Sequence, residues 1–210
     1  PNALPDLELG RRFIAHSPVP GAVLQCGVTG SHDYGFSSPD SDLDLKGLFV
    51  APTRALLGLH RPPESFDRLI DFEGVECDLT LTEVGKALQL LVNGNGNVIE
   101  RLLSGFQLYP GPELQALQDL ARAAVSRRFA RHYQGFFRGM CREHERSERP
   151  RAKTLLYAYR VALTGIHLLR TGELIADLRE LAPRLGYPEA LALVQIKVAG
   201  VEKGAVSPEI

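Results

Sequence analysis

The apolar residues in the first half of the chain fall into four short runs, each bounded by turn residues. Runs of this length, whose side chains alternate between two faces, predict β-strands. Two runs flank a long polar stretch, and two are joined at Glu73-Gly74, a dipeptide typical of a hairpin turn. We therefore predict strands at residues 22–28, 42–50, 66–72 and 75–81.

From Thr82 onward the apolar period lengthens from two to about 3.6 residues, the period of an amphipathic helix. Thr82-Glu83 and Asn97 are suited to cap two short helices, and Thr53 a third. A loose helical spacing also precedes the first strand. We predict helices at residues 4–16, 53–59, 84–92, 98–103, 113–125, 127–144, 152–169, 172–185 and 189–198.

These elements predict an α+β fold in two parts. The first is a small domain over residues 1–106, a mixed β-sheet with flanking helices, and the second is an all-helical domain over residues 107–210. The boundary lies in the clearest linker of the sequence, the run rich in Pro and Gly at residues 107–112.

The polar stretch between the first two strands carries the clearest chemistry. Asp42 and Asp44 are two residues apart, so they share one strand face, with Leu43 on the other. Neighbouring carboxylates repel each other unless a cation lies between them, and Mg²⁺ is a hard cation that prefers oxygen ligands. Gly30-Ser31 ends the preceding strand, where the backbone N–H groups of a following helix would face the same space. The sequence predicts an N–H cradle and a metal flanking one triphosphate.

A family resemblance rests on this stretch. A Gly-Ser pair at the end of a strand, ten further residues and Asp-x-Asp on the next strand resemble the signature of the DNA polymerase beta-like nucleotidyltransferase superfamily. The fuller pattern Gly-Ser-x-x-Tyr-Gly-x-x-Ser-x-x-Ser-Asp-x-Asp, with residues 94–100 downstream, resembles its YcgL/RlaP-like branch, named for an association with RNA repair genes. The resemblance covers residues 21–103 and, more weakly, 153–160. Gly96 departs from it, since Pro is expected there.

The resemblance implies a third carboxylate from a neighbouring strand, and Asp78 is the candidate. Counting by twos, Asp78 lies on a polar face with Glu76 and Thr80, so it meets Asp42 and Asp44 if the two strands are neighbours. A register slip of one residue would turn it into the core. The three carboxylates would bind two Mg²⁺ ions, with Mn²⁺ as an alternative metal.

Further residues are candidate contacts to the nucleotide. Gly30 and Ser31 would hold the leaving phosphates, and Lys46, on the same strand face as the acidic pair, would contact phosphate or serve as their ion partner. On the predicted helix from residue 152, three side chains recur at i, i+4 and i+7 and share one face. The resemblance implies that such basic residues of the helical part contact the triphosphate; they are Lys153, Tyr157 and Arg160.

Other interpretations of these motifs are weaker. A calcium loop starting at Asp40 would need Gly at its sixth position and Glu at its twelfth, where this chain has Leu45 and Ala51. A solvated acidic turn remains open for the Ser-Pro-Asp-Ser segment, but it does not require Asp44 inside an apolar run. Cys141 and His144 are too few ligands for a zinc site.

The charge distribution says more about partners than the net charge of −1. Residues 121–170 carry 12 Lys or Arg against 3 Asp or Glu. Such a block is either a solvated helix surface or the footprint of nucleic acid.

The cysteine content and the apolar segments bear on location. The chain has three cysteines, an odd and sparse set, which predicts reduced thiols and a cytoplasmic protein. It shows no charged-then-apolar leader and no run of about 18 apolar residues, so we expect no membrane partner.

The functional expectation is a Mg²⁺-dependent nucleotidyltransferase that moves a nucleoside monophosphate from an NTP to a hydroxyl and releases pyrophosphate. An RNA or tRNA end is the first choice of acceptor, bound through the basic segment 121–170. A protein hydroxyl, as in AMPylation or a toxin–antitoxin pair, and a small molecule are the alternatives. A different class of answer is a non-catalytic nucleotide-sensing module.

Overall fold

The computed structural model describes residues 4–38, 41–146 and 152–198. The strands of this part of the chain are β1 (Ala22–Val28), β2 (Leu43–Val50), β3 (Ser65–Phe72), β4 (Val75–Glu83) and β5 (Phe106–Gln107). Its helices are α1 (Leu7–Ala15), α2 (Gly30–Asp33), α3 (Thr53–Leu56), α4 (Val84–Val92), α5 (Gly96–Leu103), α6 (Pro112–Ala123), α7 (Phe129–Arg146), α8 (Ala152–Thr171), α9 (Leu178–Leu185) and α10 (Ala190–Val198).

The chain divides into two compact units. The sheet unit comprises residues 4–30 and 42–124, and the helical unit comprises the described residues of 31–41 and 125–198. The chain therefore leaves the sheet unit after Gly30 and returns to it at Asp42. The whole Tyr-Gly-x-x-Ser part of the motif belongs to the helical unit.

The sheet unit contains a five-stranded mixed sheet in the order β3-β4-β2-β1-β5. The central pair, β2 and β4, is parallel, and the other neighbours are antiparallel. β3 and β4 form the predicted hairpin, whose turn residues Glu73 and Gly74 have φ of 53° and 82°. Positive φ at both central residues is the geometry of a type I′ turn, which suits the twist of paired strands.

The period of two assigns the two faces of the sheet. Cys77, Leu79 and Leu81 of β4 are fully buried and pack with Leu45 of β2 and with Phe13 of α1 in one core. The alternate side chains of the same strands face the other side. Helix α5 lies against part of this second face, where Nη1 of its Arg101 donates to Thr82 Oγ1 at 2.7 Å.

Helix caps set the starts of the helices that follow β4. Glu83 caps α4, since its carboxylate accepts from the backbone N–H groups of Gly85 and Lys86. The cap of α5 is Asn95, whose Oδ1 accepts from Val98 N. The prediction of Asn97 was therefore wrong by two residues.

The helical unit has its own core. Helix α7 packs along α8, and α9 and α10 pack against α8 in turn. Gly165 of α8 permits the close approach of α7, because a Cβ there would lie 2.6 Å from Tyr133 Cβ. Tyr34 and Phe36, from the segment after the Gly-Ser pair, are buried in this core with Leu156 of α8.

The structure confirms the predicted α+β fold, a small mixed sheet with flanking helices together with a set of packed helices. It corrects three further local predictions. Residues 106 and 107 form a strand paired with β1, so Gln107 is not the start of a linker. Residues 172–177 precede helix α9 rather than forming its first turns. The cap of α3 is Pro52, not Thr53.

Candidate active site

Two of the three predicted carboxylates lie side by side in the sheet unit. Asp44 of β2 and Asp78 of β4 are direct partners across the central parallel pair. Neighbouring strands are about 4.8 Å apart, and paired residues project from the same face. Both residues are half-buried, between the buried apolar residues of their strands. The sheet therefore holds the two carboxylates next to each other on its polar face.

Lys46 is the next residue on this face of β2. Its Nζ donates to Asp78 Oδ2 at 2.6 Å and to Thr80 Oγ1 at 3.1 Å. The ammonium is paired with the carboxylate of the neighbouring strand, in an ion pair whose side chains are 21% and 36% exposed. Lys46 therefore neutralises one of the two charges that face each other.

Gly30 brings backbone against the other carboxylate. Its φ of +67° lies in the left-handed region, and a Cβ at this position would overlap Asp44 Oδ2 and come within 2.8 Å of Asp44 Cγ. The neighbouring Thr29 N donates to the Asp44 backbone oxygen at 2.9 Å. Glycine is required here for two reasons, the backbone conformation and the space that Asp44 occupies.

Asp42 lies one residue ahead of β2 and is exposed. Among residues 4–38, 41–146 and 152–198, no three His, Cys, Asp or Glu side chains converge closely enough to form a ready-made metal site. Asp40, the first residue of the calcium-loop alternative, lies outside the described residues.

The motif residues after Gly30 are fixed by contacts within the helical unit. Tyr34 O accepts from Leu178 N at 3.0 Å. Gly35 has φ of +82°, and a Cβ there would overlap the carboxylate of Asp177, 2.6 Å from its Cγ. The Tyr-Gly pair of the motif therefore has a local structural role, which is to seat the segment against the start of α9.

The predicted nucleotide contacts Ser31, Lys153, Tyr157 and Arg160 also belong to the helical unit, whereas Gly30 and Lys46 belong to the sheet unit. Lys153 is exposed at the start of α8, and Ser31 is buried in α2. Tyr157 meets Phe36 edge to face, with 5.5 Å between the ring centroids. Arg160 is buried, and its guanidinium carbon lies 3.9 Å from the centre of the Tyr34 ring.

The family assignment follows from a comparison with known proteins. The model of the RlaP family, described as the RNA repair pathway DNA polymerase beta family, matches residues 11–209. The chain belongs to this family. The match confirms the resemblance drawn from the motif and extends it through the helical unit.

One curated protein and one solved structure are similar to this family member over part of their length. An uncharacterized protein of Methanocaldococcus jannaschii is 29% identical over 152 residues, which make up 71% of this chain and 61% of the relative. The chain thus spans about three-fifths of the length of this curated relative. A crystal structure of a nucleotidyltransferase-like protein from Exiguobacterium sibiricum aligns over 94% of this chain and 74% of its own, at 13% identity and a TM-score of 0.39.

Sequence reasoning left the role of Lys46 open between phosphate contact and ion partner, and it gave Tyr34 and Gly35 no structural role. The alternation of side chains along a strand places Lys46 on the same face as Asp44. The identity of its ion-pair partner, however, depends on which strands are neighbours in the sheet. The contacts of Tyr34 and Gly35 join residues more than a hundred positions apart, which no local pattern reveals.

The two thiols of the sheet unit, Cys26 and Cys77, are not part of the carboxylate site. Burial raises the pKa of Cys26 to about 12 and that of Cys77 to about 11. Both lie on the core face of the sheet, so they are packing residues. In the part of the chain that the structure describes, no helix is both long and apolar enough to cross a bilayer.

Proposed function

We propose that this chain is a nucleotidyltransferase that transfers a nucleoside monophosphate from an NTP to a hydroxyl group of RNA or tRNA, releasing pyrophosphate. The observation that carries the proposal is the in-register pair Asp44 and Asp78 on adjacent parallel strands. Membership of an RNA repair pathway polymerase beta family supports both the reaction class and the choice of acceptor.

The donor chemistry of the site fits a hard divalent cation. Asp44 and Asp78 offer carboxylate oxygens on one half-buried face, and glycine at position 30 lets the Asp44 carboxylate occupy the space that a Cβ would otherwise fill. Together with Asp42 they would hold Mg²⁺ or Mn²⁺. Two such ions are proposed, and they would polarise the phosphoryl oxygens and make the acceptor hydroxyl more acidic.

The residues of the chain have separate proposed roles. The acceptor oxygen forms a bond to the α-phosphorus while the bond from the α-phosphorus to the bridging oxygen breaks, and pyrophosphate leaves. The hydroxyl proton passes to a carboxylate oxygen of Asp78. Gly30 and Ser31 bind the leaving phosphates through their amides, since this group gains negative charge as the bond breaks. Lys46 limits the charge on the acidic face through its pair with Asp78.

We further propose Lys153, Tyr157 and Arg160 as the contribution of the helical unit to nucleotide binding. The support differs between them. Lys153 is exposed, so its ammonium is accessible to phosphate. Tyr157 and Arg160 already pack on the aromatic residues of the motif segment, so their action on the nucleotide would include holding that segment.

The test is a labelling experiment with the full chain. Each of the four NTPs, labelled at the α- or at the γ-phosphate, is incubated with Mg²⁺ and either total RNA or total protein. Transfer of a nucleotide predicts label in RNA from the α-labelled NTP only. Label from the γ-phosphate would indicate phosphoryl transfer, and label in protein would support nucleotidylation of a protein. Absence of label from both RNA and protein would favour a small-molecule acceptor or the non-catalytic, nucleotide-sensing alternative.

A further inference from the structure

The helical unit contains an apolar groove that the proposed chemistry does not use. It has a volume of about 610 Å³ and runs between α7 and α8, with Tyr187 at its edge. Its floor includes the buried residues Tyr133 and Leu163. Four large apolar side chains on its rim are each more than a third exposed: Phe137 at 39%, Ile166 at 36%, Leu169 at 40% and Tyr187 at 43%. Exposed apolar side chains around an apolar groove make it a candidate interaction site.

A side of α7 with net positive charge, three arginines and Glu145, borders the groove. Arg131, Arg138 and Arg142 follow one another on α7 at spacings of seven and four residues, so they share one side of the helix. Arg138 is four residues after Gln134 and three before Cys141, both of which line the groove. All three arginines are exposed, and none has an ion-pair partner among residues 4–38, 41–146 and 152–198.

This combination of charges limits the possible occupant. A second copy docking about a two-fold axis would bring the same three arginines to the interface twice, and their charges would repel. Single-stranded nucleic acid matches both features, since its backbone requires a line of cations and its bases stack on aromatic side chains. Phe137 and Tyr187 supply exposed rings, and the Gln134 amide at the rim can donate to and accept from a base edge.

We propose that this groove binds unpaired bases of the RNA acceptor, with the arginine stripe contacting the phosphates beside them. The inference deepens the proposed function, on which its choice of RNA rests. It assigns the aromatic side chains to base stacking and the guanidinium groups to the sequence-independent electrostatic part of binding.

The experiment measures binding of a short fluorescent single-stranded RNA to the full chain, beside an abasic ribose-phosphate oligomer of equal length. Phe137→Ala should weaken RNA binding by about 5- to 150-fold, the range for loss of base–aromatic stacking, without changing binding of the abasic oligomer. Phe136→Ala is the matched control, because Phe136 is exposed on the same helix but lies outside the groove lining. Its RNA affinity should equal that of the wild type.

Two further measurements keep the test independent of one variant. Replacing Arg131, Arg138 and Arg142 by Gln should reduce the slope of log affinity against log salt by about 2, at roughly 0.7 per phosphate contact. Cys141 lines the groove, so bound RNA should slow its alkylation in the wild-type protein and the abasic oligomer should not. The alkylation of Cys141 in the wild-type protein tests whether RNA occupies the groove even if Phe137→Ala does not fold.

Several results would overturn the inference. They are equal RNA affinities of Phe137→Ala and wild type, equal losses for RNA and for the abasic oligomer, and alkylation of Cys141 at the same rate with and without RNA. A concentration-dependent dimer that Phe137→Ala abolishes would assign the groove to a second copy. Failure of the proposed function is a separate result: RNA that protects Cys141 but receives no nucleotide would overturn the transfer reaction and leave the groove assignment standing.

Discussion

The contact between Gly30 and Asp44 gives the sharpest prediction for the site. In a Gly30→Ala variant the new Cβ would lie 2.8 Å from Asp44 Cγ, against about 3.5–4.0 Å for an ordinary carbon contact, so the carboxyl carbon must move by about 1 Å. The left-handed backbone at φ +67° adds a strain of about 1–2 kcal/mol for Ala. A misplacement of about 1 Å in a catalytic group can reduce the rate by about a hundredfold.

A second glycine separates strain from displacement. Gly74 has φ of +82° in the β3–β4 turn, and a Cβ there meets no atom within 4 Å. Gly74→Ala should therefore show the same strain with normal activity. Gly74→Ala should lower the unfolding midpoint by roughly 2–8 °C, the shift expected for 1–2 kcal/mol in a chain of this size. Gly30→Ala should lower it by at least as much, because its Cβ also overlaps Asp44.

The assay is thermal unfolding of both variants together with release of pyrophosphate from the NTP and acceptor that the labelling experiment identifies. We expect Gly30→Ala to lose about a hundredfold in rate while Gly74→Ala keeps wild-type activity. Full activity in Gly30→Ala would refute the functional position of Asp44. An equal loss of activity in Gly74→Ala would show that strain alone accounts for the effect.

Three other predictions concern single contacts. Lys46→Met removes the ammonium that lies 2.6 Å from Asp78 Oδ2, whereas Lys46→Arg keeps a positive charge there. Mn²⁺ should therefore raise the unfolding temperature of Lys46→Met at lower metal concentrations than it does for Lys46→Arg, and equal metal dependence of the two variants would contradict this. Asn95→Ala should cost about 1 kcal/mol in unfolding free energy through loss of the α5 cap, and Asn97→Ala should cost less; the reverse order would return the cap to Asn97. Because burial raises the pKa of Cys26 to about 12, iodoacetamide should modify this thiol only after unfolding, whereas the half-exposed Cys141 reacts in the folded protein. Modification located at Cys26 by peptide mapping before unfolding would contradict its burial.

The central part of the fold follows from residue patterns. The alternation of side chains along β4 separates Asp78 from Cys77 and Leu79. The structure places Asp78 on the polar face and the other two on the core face, as predicted. This alternation predicts only the face, however. That β2 and β4 are parallel neighbours, with Asp44 opposite Asp78, depends on packing between segments far apart in sequence.

The missed features have similar causes. Strand β5 has only two residues, Phe106 and Gln107, too few for any period, and the Pro and Gly that follow are typical of a linker. Asn95 and Asn97 are equally suited to cap a helix, so only backbone conformation decides between them. The seating of Gly35 against Asp177 joins distant parts of the chain, and no local pattern encodes it.

The most direct test of the proposed catalytic role is the rate of nucleotide transfer in Asp44→Asn. The change keeps the shape of the side chain and removes the charge that a metal requires. Asp67→Asn is the control, since Asp67 lies on edge strand β3 opposite Thr80, on the same face of the sheet. We expect Asp44→Asn to lose about a thousandfold or more, because metal stabilisation of the transition state is worth several kcal/mol, and Asp67→Asn to retain its rate. Substantial transfer by Asp44→Asn, with unfolding unchanged, would contradict the assignment of the paired carboxylates as the catalytic site.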